Sequence, residues 1–342
     1  MDLKISKHSL TFILSGIMML ILILDAELVV TGAVSGIELC LWTVIPSLFP
    51  FFVISSLING SIGGRHMRIL RFLERLYCVP AGSAHIVAIG MLGGYPIGAQ
   101  GIADAYKKGI LTKQSAARML MFCNNAGPAF IFGMVVQQFG SVTIGWYLWL
   151  ITILSSVFVA ASIPAAGTAE IRSRSVTTVG IAEAVTKSIK AMANVCAWVV
   201  LFRVILTLLQ KRVLHNNSHF LQTVLFGFLE LSNGVVETSS ITDPLVRFVL
   251  CAVFLNAGGL CVAMQTYSVT KALGLRTYLL GKASQTLYSF LLSLMVIPVL
   301  FQRGSLLISL TAALICAVLL LSAQFFKKSI AISRKILYYI EN

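Results

Sequence analysis

The chain is short of charge, and of acids above all. Of its 342 residues only 12 are Asp or Glu, and the charged types together make up 11%, where a soluble domain carries about 25%. With 58% hydrophobic residues and a mean hydropathy of +0.91, this composition excludes an ordinary soluble domain and reads as an all-α polytopic membrane protein. Histidine is scarce, at 5 residues, and no nucleophile and base pair stands out, so no enzyme is expected. Cysteine is present but unpaired in pattern: Cys40, Cys78, Cys123, Cys196, Cys251, Cys261 and Cys316 form no CxxC and mostly sit among apolar neighbours, as small buried hydrophobes do. His215 and His219 have i, i+4 spacing, but Asn216, Asn217 and Ser218 between them read as a loop. No metal site and no cofactor is expected.

What the chain does have is base. Its formal charge is +14, yet the lysines and arginines fall in the links between apolar segments, without the clustered footprint of a nucleic-acid binder. No nucleic-acid partner is expected. A membrane-spanning helix needs roughly 17 to 25 apolar residues, and predicted spans lie at 9–24, 39–58, 142–164, 191–209, 283–300 and 305–326. Pro46 and Pro50 should kink the second. Lys4 and Lys7 before the first span resemble a signal peptide, but no small-residue cleavage site follows and Asp25 and Glu27 end the run, which favours an uncleaved span. Residues 61–79 carry Arg65, Arg68, Arg71 and Arg75 with apolar residues between them, the pattern of an interfacial helix or of a solvated basic connector.

Two predicted spans contain helix-breaking polar residues. One covers 115–136 and is broken at Asn124 to Pro128; the other covers 245–267 and is broken at Asn256 to Gly259. Each follows an apolar arm too short to cross about 30 Å of hydrocarbon. These arms predict re-entrant hairpins at 84–106, with Gly94-Tyr95-Pro96 at the tip, and at 220–241, with the tip at 230–234. If both re-enter and the N-terminus is cytoplasmic, 21 of the 26 Lys and Arg residues fall on the cytoplasmic side, Lys282 and Arg118 among them, in keeping with the positive-inside rule. Lys211, Arg212 and Arg303 are exceptions. Both termini are then cytoplasmic.

The order of span, hairpin, broken span and span occurs twice, and the strings FCNNAGPAFIFG and FLNAGGLCVAM align at the breaks. An odd number of crossings separates the hairpins, so the repeats are inverted. The predicted organisation is an N-terminal span (1–35), a first repeat (36–165), a cytoplasmic linker (166–190), a second inverted repeat (191–302), and a final span with a basic tail (303–342). Inverted repeats with paired broken helices point to a midplane site in a secondary transporter.

Half-helix N-termini there would bind an anion, and facing carbonyls a cation or hydroxyl. The candidate binding residues are Gly94, Tyr95, Pro96 and Gln100 on the first hairpin, Asn124 and Asn125 at the first break, Glu230, Ser232 and Asn233 on the second hairpin, and Asn256 and Gly258 at the second break. The asparagines either satisfy freed backbone or contact substrate. Tyr95 either stacks on a ring or anchors the hairpin. Glu230 or Glu237 is a candidate proton or sodium site for coupling, unless Glu237 lies solvated with Asp243 in an outer vestibule. Arg203 either pairs with one of these acids, attracts an anionic substrate, or snorkels outward.

The strings PSLFPFF, GGYPIGA, GILT and FCNNAGPAFIFG, in that order, resemble the sporulation integral membrane protein family of endospore-forming Firmicutes, the YlbJ or SpoV type. That family belongs to a wider nucleoside-recognition, or gate-domain, group similar to the core of concentrative nucleoside transporters. The resemblance spans roughly residues 36–298. It implies a transporter of dipicolinic acid, a small aromatic dianion, across the mother-cell-derived outer forespore membrane. The first hairpin tip lacks the acidic and amide side chains that hold a nucleoside in the nucleoside transporters. The expected partners are a small anionic substrate, the lipid bilayer and a coupling ion, with a homo-oligomer left open. The alternatives are a nucleoside or related small-molecule transporter, and a membrane scaffold for spore-envelope assembly that does not transport.

Overall fold

The structure, a computed structural model, describes residues 7–62, 68–165, 179–212, 214 and 218–341. Lys4, Arg65, Arg172, Arg174 and His215 lie outside the described residues, so the histidine pair and part of the 61–79 segment are not placed. All regular elements among the described residues are helical. In chain order they are α1 (Lys7–Leu24), α2 (Ala26–Leu39), a π turn (Cys40–Val44), α3 (Ile45–Ile62), α4 (Arg71–Tyr77), α5 (Ala84–Leu92), α6 (Ile97–Lys107), α7 (Lys113–Leu120), α8 (Pro128–Phe130), a second π turn (Ile131–Val135), α9 (Val136–Phe139), α10 (Val142–Ser162), α11 (Ile181–Arg212), α12 (His219–Leu229), α13 (Leu231–Glu237), α14 (Pro244–Ala257), α15 (Gly259–Thr270), α16 (Leu275–Phe301) and α17 (Leu306–Glu341). Among the described residues six runs are long and apolar enough to cross a membrane: Ala26–Ile58, Val142–Ser162, Ile181–Arg212, Pro244–Leu273, Leu275–Phe301 and Leu306–Gln324. The chain is an integral, multi-pass membrane protein.

Three predicted boundaries are corrected. The span placed at 39–58 begins at Ala26, because α2, the π turn and α3 form one continuous run that crosses the boundary set at residue 35. Residues 26–38 are less apolar but helical, and their small side chains let α2 lie against α11: a Cβ on Gly32 would stand 2.9 Å from Val204 Cα, and one on Gly36 2.9 Å from Val200 Cα. Helices in lipid associate through such close backbone approach. The span placed at 191–209 begins at Ile181, inside the predicted linker, where Ala184 and Ser188 are buried and Lys187 pairs with Asp104 of α6. The span placed at 283–300 begins at Leu275, so Lys282 lies within a membrane helix and not in a loop.

The short elements form two helical hairpins. Helix α5 has 9 residues, about 13 Å at 1.5 Å per residue, and packs on α6 across the turn at Gly93 to Pro96. The irregular stretch after α7 is pressed between this hairpin and α16. A Cβ on Gly90 or Gly98 would meet the Cys123 carbonyl oxygen at 1.9 Å, and one on Gly281 would meet Met121 Cα at 2.4 Å. Helices α12 and α13 form the second hairpin, joined by the single extended residue Glu230. Residues 231–234, predicted as its tip, belong to α13. Helix α14 stops where Gly258 takes a left-handed φ of 74°, and α15 resumes the run.

Arg118, counted among the loop bases, is buried. Its guanidinium donates to the carbonyls of Tyr77, Cys78, Ala160 and Pro164 at 2.7 to 3.0 Å. It thereby satisfies orphan carbonyls at the C-terminal ends of α4 and α10. The Tyr77 hydroxyl and Ser156 Oγ, 2.9 Å apart, tie the same two helices.

Candidate functional site

Both breaks follow from local sequence. Pro128 disfavours helical conformation in the residue before it, and Gly127 is extended there, with ψ 161°. At the second break, Gly258 supplies the left-handed residue that ends a helix. Each break leaves an asparagine next to freed backbone. Asn125 Nδ2 donates to the Phe122 carbonyl at 2.7 Å, and Asn256 Nδ2 to the Ala252 carbonyl at 2.9 Å.

The other ends of these two amides meet on α16. Gln285 Nε2 donates to Asn125 Oδ1 at 2.8 Å and to Asn256 Oδ1 at 3.0 Å, so one side chain ties the two breaks together. Lys282 Nζ donates to Gln285 Oε1 at 2.8 Å and to Asn125 Oδ1 and the Tyr95 hydroxyl, each at 3.1 Å. It stands 4.9 Å from the centroid of the Tyr95 ring, within cation–π range. Tyr95 in turn donates to the Leu255 carbonyl at 2.9 Å, which joins the first hairpin to the second broken run. All five side chains are buried, Lys282 at 3% exposure.

No carboxylate among the described residues pairs with Lys282. A buried lysine amine surrounded only by neutral hydrogen-bond acceptors has lost its hydration without gaining a counter-ion, so a charge there is costly until an anion arrives. Such a group at membrane depth is a candidate functional site.

A second polar group sits on the second hairpin. Glu230 Oε2 accepts from the backbone N–H and the side-chain amide of Asn233, both at 2.8 Å. Asn233 Oδ1 accepts from Arg203, whose Nε donates to Ser35 Oγ at 3.1 Å. Arg203 thus reaches the acid through an asparagine and not directly. This arrangement corrects the idea that a half-helix N-terminus is free here: the Glu230 side chain already caps α13. The basic side chain nearest both breaks is that of Lys282.

Between the two groups lies a cavity of about 40 Å³, lined by Gly94 and Tyr95 from the first hairpin, Gly127 from the first break, Glu230 and Ser232 from the second hairpin, and Gln265 from α15. It holds a few waters at most.

The remaining predicted residues are placed as follows. Asn124 bridges the halves, accepting from Ala99 N at 3.3 Å and donating to Thr266 Oγ1 at 2.9 Å. Pro96 precedes the first turn of α6. Gly258 packs on Tyr95, where a Cβ would stand 3.2 Å from the phenol oxygen. Gln100 is not brought to the centre: it lines a separate cleft with Asp104 and Lys187, because it lies one helical turn beyond Pro96 on α6. Glu237, at the far end of α13, is half-buried and distant from the cavity lining.

Sequence reasoning passed over Lys282 and Gln285. The available signal was a stripe of polar or small residues along α16: Tyr278, Gly281, Lys282, Gln285, Ser289 and Ser293, all buried and spaced by three or four residues, as one helix face requires.

Over 107 residues the chain is 33% identical to the sporulation integral membrane protein YlbJ of Bacillus subtilis (strain 168). The match takes in 31% of this chain and 26% of that protein, about a quarter of the relative's length. No family model matches the chain, and no solved structure matches it. The chain is thus homologous in part to an integral membrane protein of sporulation.

Proposed function

We propose that the protein is a transporter of a small anionic metabolite, with its site where the two helix breaks converge on Lys282. The observation that carries this is the buried lysine amine without a carboxylate, held by Asn125 of the first break, by Gln285, which also binds Asn256 of the second, and by the tyrosine at a hairpin tip. An arriving anion would supply the missing counter-charge. On this reading α5–α6 and α12–α13 are re-entrant hairpins, the two halves are inverted repeats, and alternating access requires the hairpins to move, since about 40 Å³ cannot admit a ring. Glu230, across the cavity, is the natural place for a coupling proton or sodium ion.

Dipicolinate is the leading substrate. It is a flat dianion suited to a tyrosine face beside an ammonium, and the partial similarity to a sporulation membrane protein supports its setting in the forespore membrane. A nucleoside or related neutral solute is the second reading, favoured by the uncharged groups of Ser232 and Gln265 in the cavity wall. Equilibrium dialysis of the purified protein with dipicolinate separates these. Binding that a nucleoside mixture does not displace, and that Lys282→Met and Asn125→Ala each weaken at least about tenfold, a loss of about 1.4 kcal/mol, supports the anion reading. Displacement by nucleosides would favour the second. A non-transporting scaffold would bind neither.

A further inference from the structure

The central cavity has a larger neighbour. A cavity of about 570 Å³ lies between the wall formed by α2, the first π turn and α3 and the wall formed by α8, the second π turn and α9. Its lining includes Gln137, Gln138 and Val236, close in the chain to Gly140 and Ile241, the exposed Trp42, and Phe130 and Ser47. Those last two residues also line the 40 Å³ central cavity, so the two spaces meet at them. The volumes differ by more than tenfold, and Phe130 is the larger of the two side chains that line both.

Both walls of the larger cavity are locally unwound. The first carries the π turn Cys40–Val44, followed by Pro46 and Pro50. Ser47 Oγ donates to the Thr43 and Val44 carbonyls at 2.6 and 3.2 Å, the back-bond to the preceding turn that bends helices. The second carries the π turn Ile131–Val135 directly after Phe130. π segments inside α-helices concentrate at functional sites, and prolines weaken the ladder that would otherwise hold a helix straight. Two such walls facing each other across one cavity, with the ring at the inner end attached to one of them, form a passage whose width can change.

We propose that the 570 Å³ space is a water-filled vestibule through which solute from the face carrying Gly140 reaches the central cavity, and that Phe130 is the gate between them and sets what can pass. The vestibule leads to the site proposed above and in that sense rests on it. Water access, however, is measurable without any substrate, so failure of transport and failure of the route are separate results.

The test is modification by a membrane-impermeant thiol reagent, read residue by residue through peptide mass spectrometry so that the native cysteines do not interfere. Gln137→Cys reports the vestibule and Ala126→Cys the central cavity. Gln137→Cys is expected to label from the face carrying Gly140 whether or not Phe130 is changed. Ala126→Cys is expected to label slowly in the parent and at least about tenfold faster when combined with Phe130→Ala. Phe130→Leu carries the same comparison with a smaller change in packing, should the alanine variant not fold. An unlabelled Gln137→Cys would overturn the vestibule. An Ala126→Cys rate that neither Phe130 variant alters, in protein that melts like the parent, would overturn the gate.

Discussion

Lys282→Met keeps most of the length of the side chain and removes its charge, so it separates what Lys282 does for the fold from what it does for a substrate. In the structure the ammonium gives three hydrogen bonds, to Gln285 Oε1, Asn125 Oδ1 and the Tyr95 hydroxyl. After the substitution Asn125 Oδ1 still accepts from Gln285, and Tyr95 still donates to Leu255. Gln285 Oε1 is the one acceptor left without a partner, a cost of about 1 to 3 kcal/mol. Against this stands relief from burying a polar amine away from water, a cost of about 1 to 3 kcal/mol. The two nearly cancel. Thermal unfolding in detergent should show a melting temperature close to the parent's, while dipicolinate binding is lost. A fall in stability of more than about 3 kcal/mol would mean that Lys282 is chiefly a structural tie. Full binding by the variant would mean that the ammonium is not the anion contact.

Arg118→Met leaves the carbonyls of Tyr77, Cys78, Ala160 and Pro164 without a donor and should cost about 3 to 5 kcal/mol, seen as lower thermal stability; a change under 1 kcal/mol would contradict the assigned role. Gly90→Ala places a methyl group 1.9 Å from the Cys123 carbonyl, a backbone atom that cannot rotate away, and should cost more than the 1 to 3 kcal/mol typical of overpacking. Gly16→Ala, with nothing within 4 Å of the new methyl, is its neutral control. Asp104→Asn breaks a partly exposed ion pair with Lys187 and should shift stability by no more than about 1 kcal/mol. Cys78 is exposed, and an impermeant thiol reagent should reach it in sealed, oriented vesicles only from the face with the basic loops; labelling from the other face would reverse the orientation expected from the positive-inside rule.

The helical class and the multi-pass character are legible in hydropathy, because in lipid the backbone must satisfy itself within helices. The breaks are legible because Gly127-Pro128 and Gly258-Gly259 cannot continue a helix, and the asparagines beside them stand out in apolar surroundings. The partner that joins them is harder to find. Lys282 sits near Lys271 and Arg276, so a reading by local hydropathy extends the loop through Lys282, past the start of α16 at Leu275, and treats a buried lysine as a surface base. Arg118 misleads in the same way. A helical-face count recovers the first, through the stripe from Tyr278 to Ser293, but not the second, whose carbonyl partners come from α4 and α10 and are visible only in three dimensions. The start of α2 is hidden for a related reason. Its stability comes from glycines seated against α11, a packing term that hydropathy does not register.

The most direct test of the proposed function is uptake of labelled dipicolinate into sealed proteoliposomes, comparing the parent protein with Asn125→Ala, Asn256→Ala and Lys282→Met under proton and sodium gradients. Uptake by the parent that resists competing nucleosides and is abolished by all three substitutions is the expected result. Uptake by the parent that all three variants retain would remove the site from the helix breaks. Absence of uptake by the parent under every gradient, in vesicles shown to hold folded protein, would contradict dipicolinate transport itself.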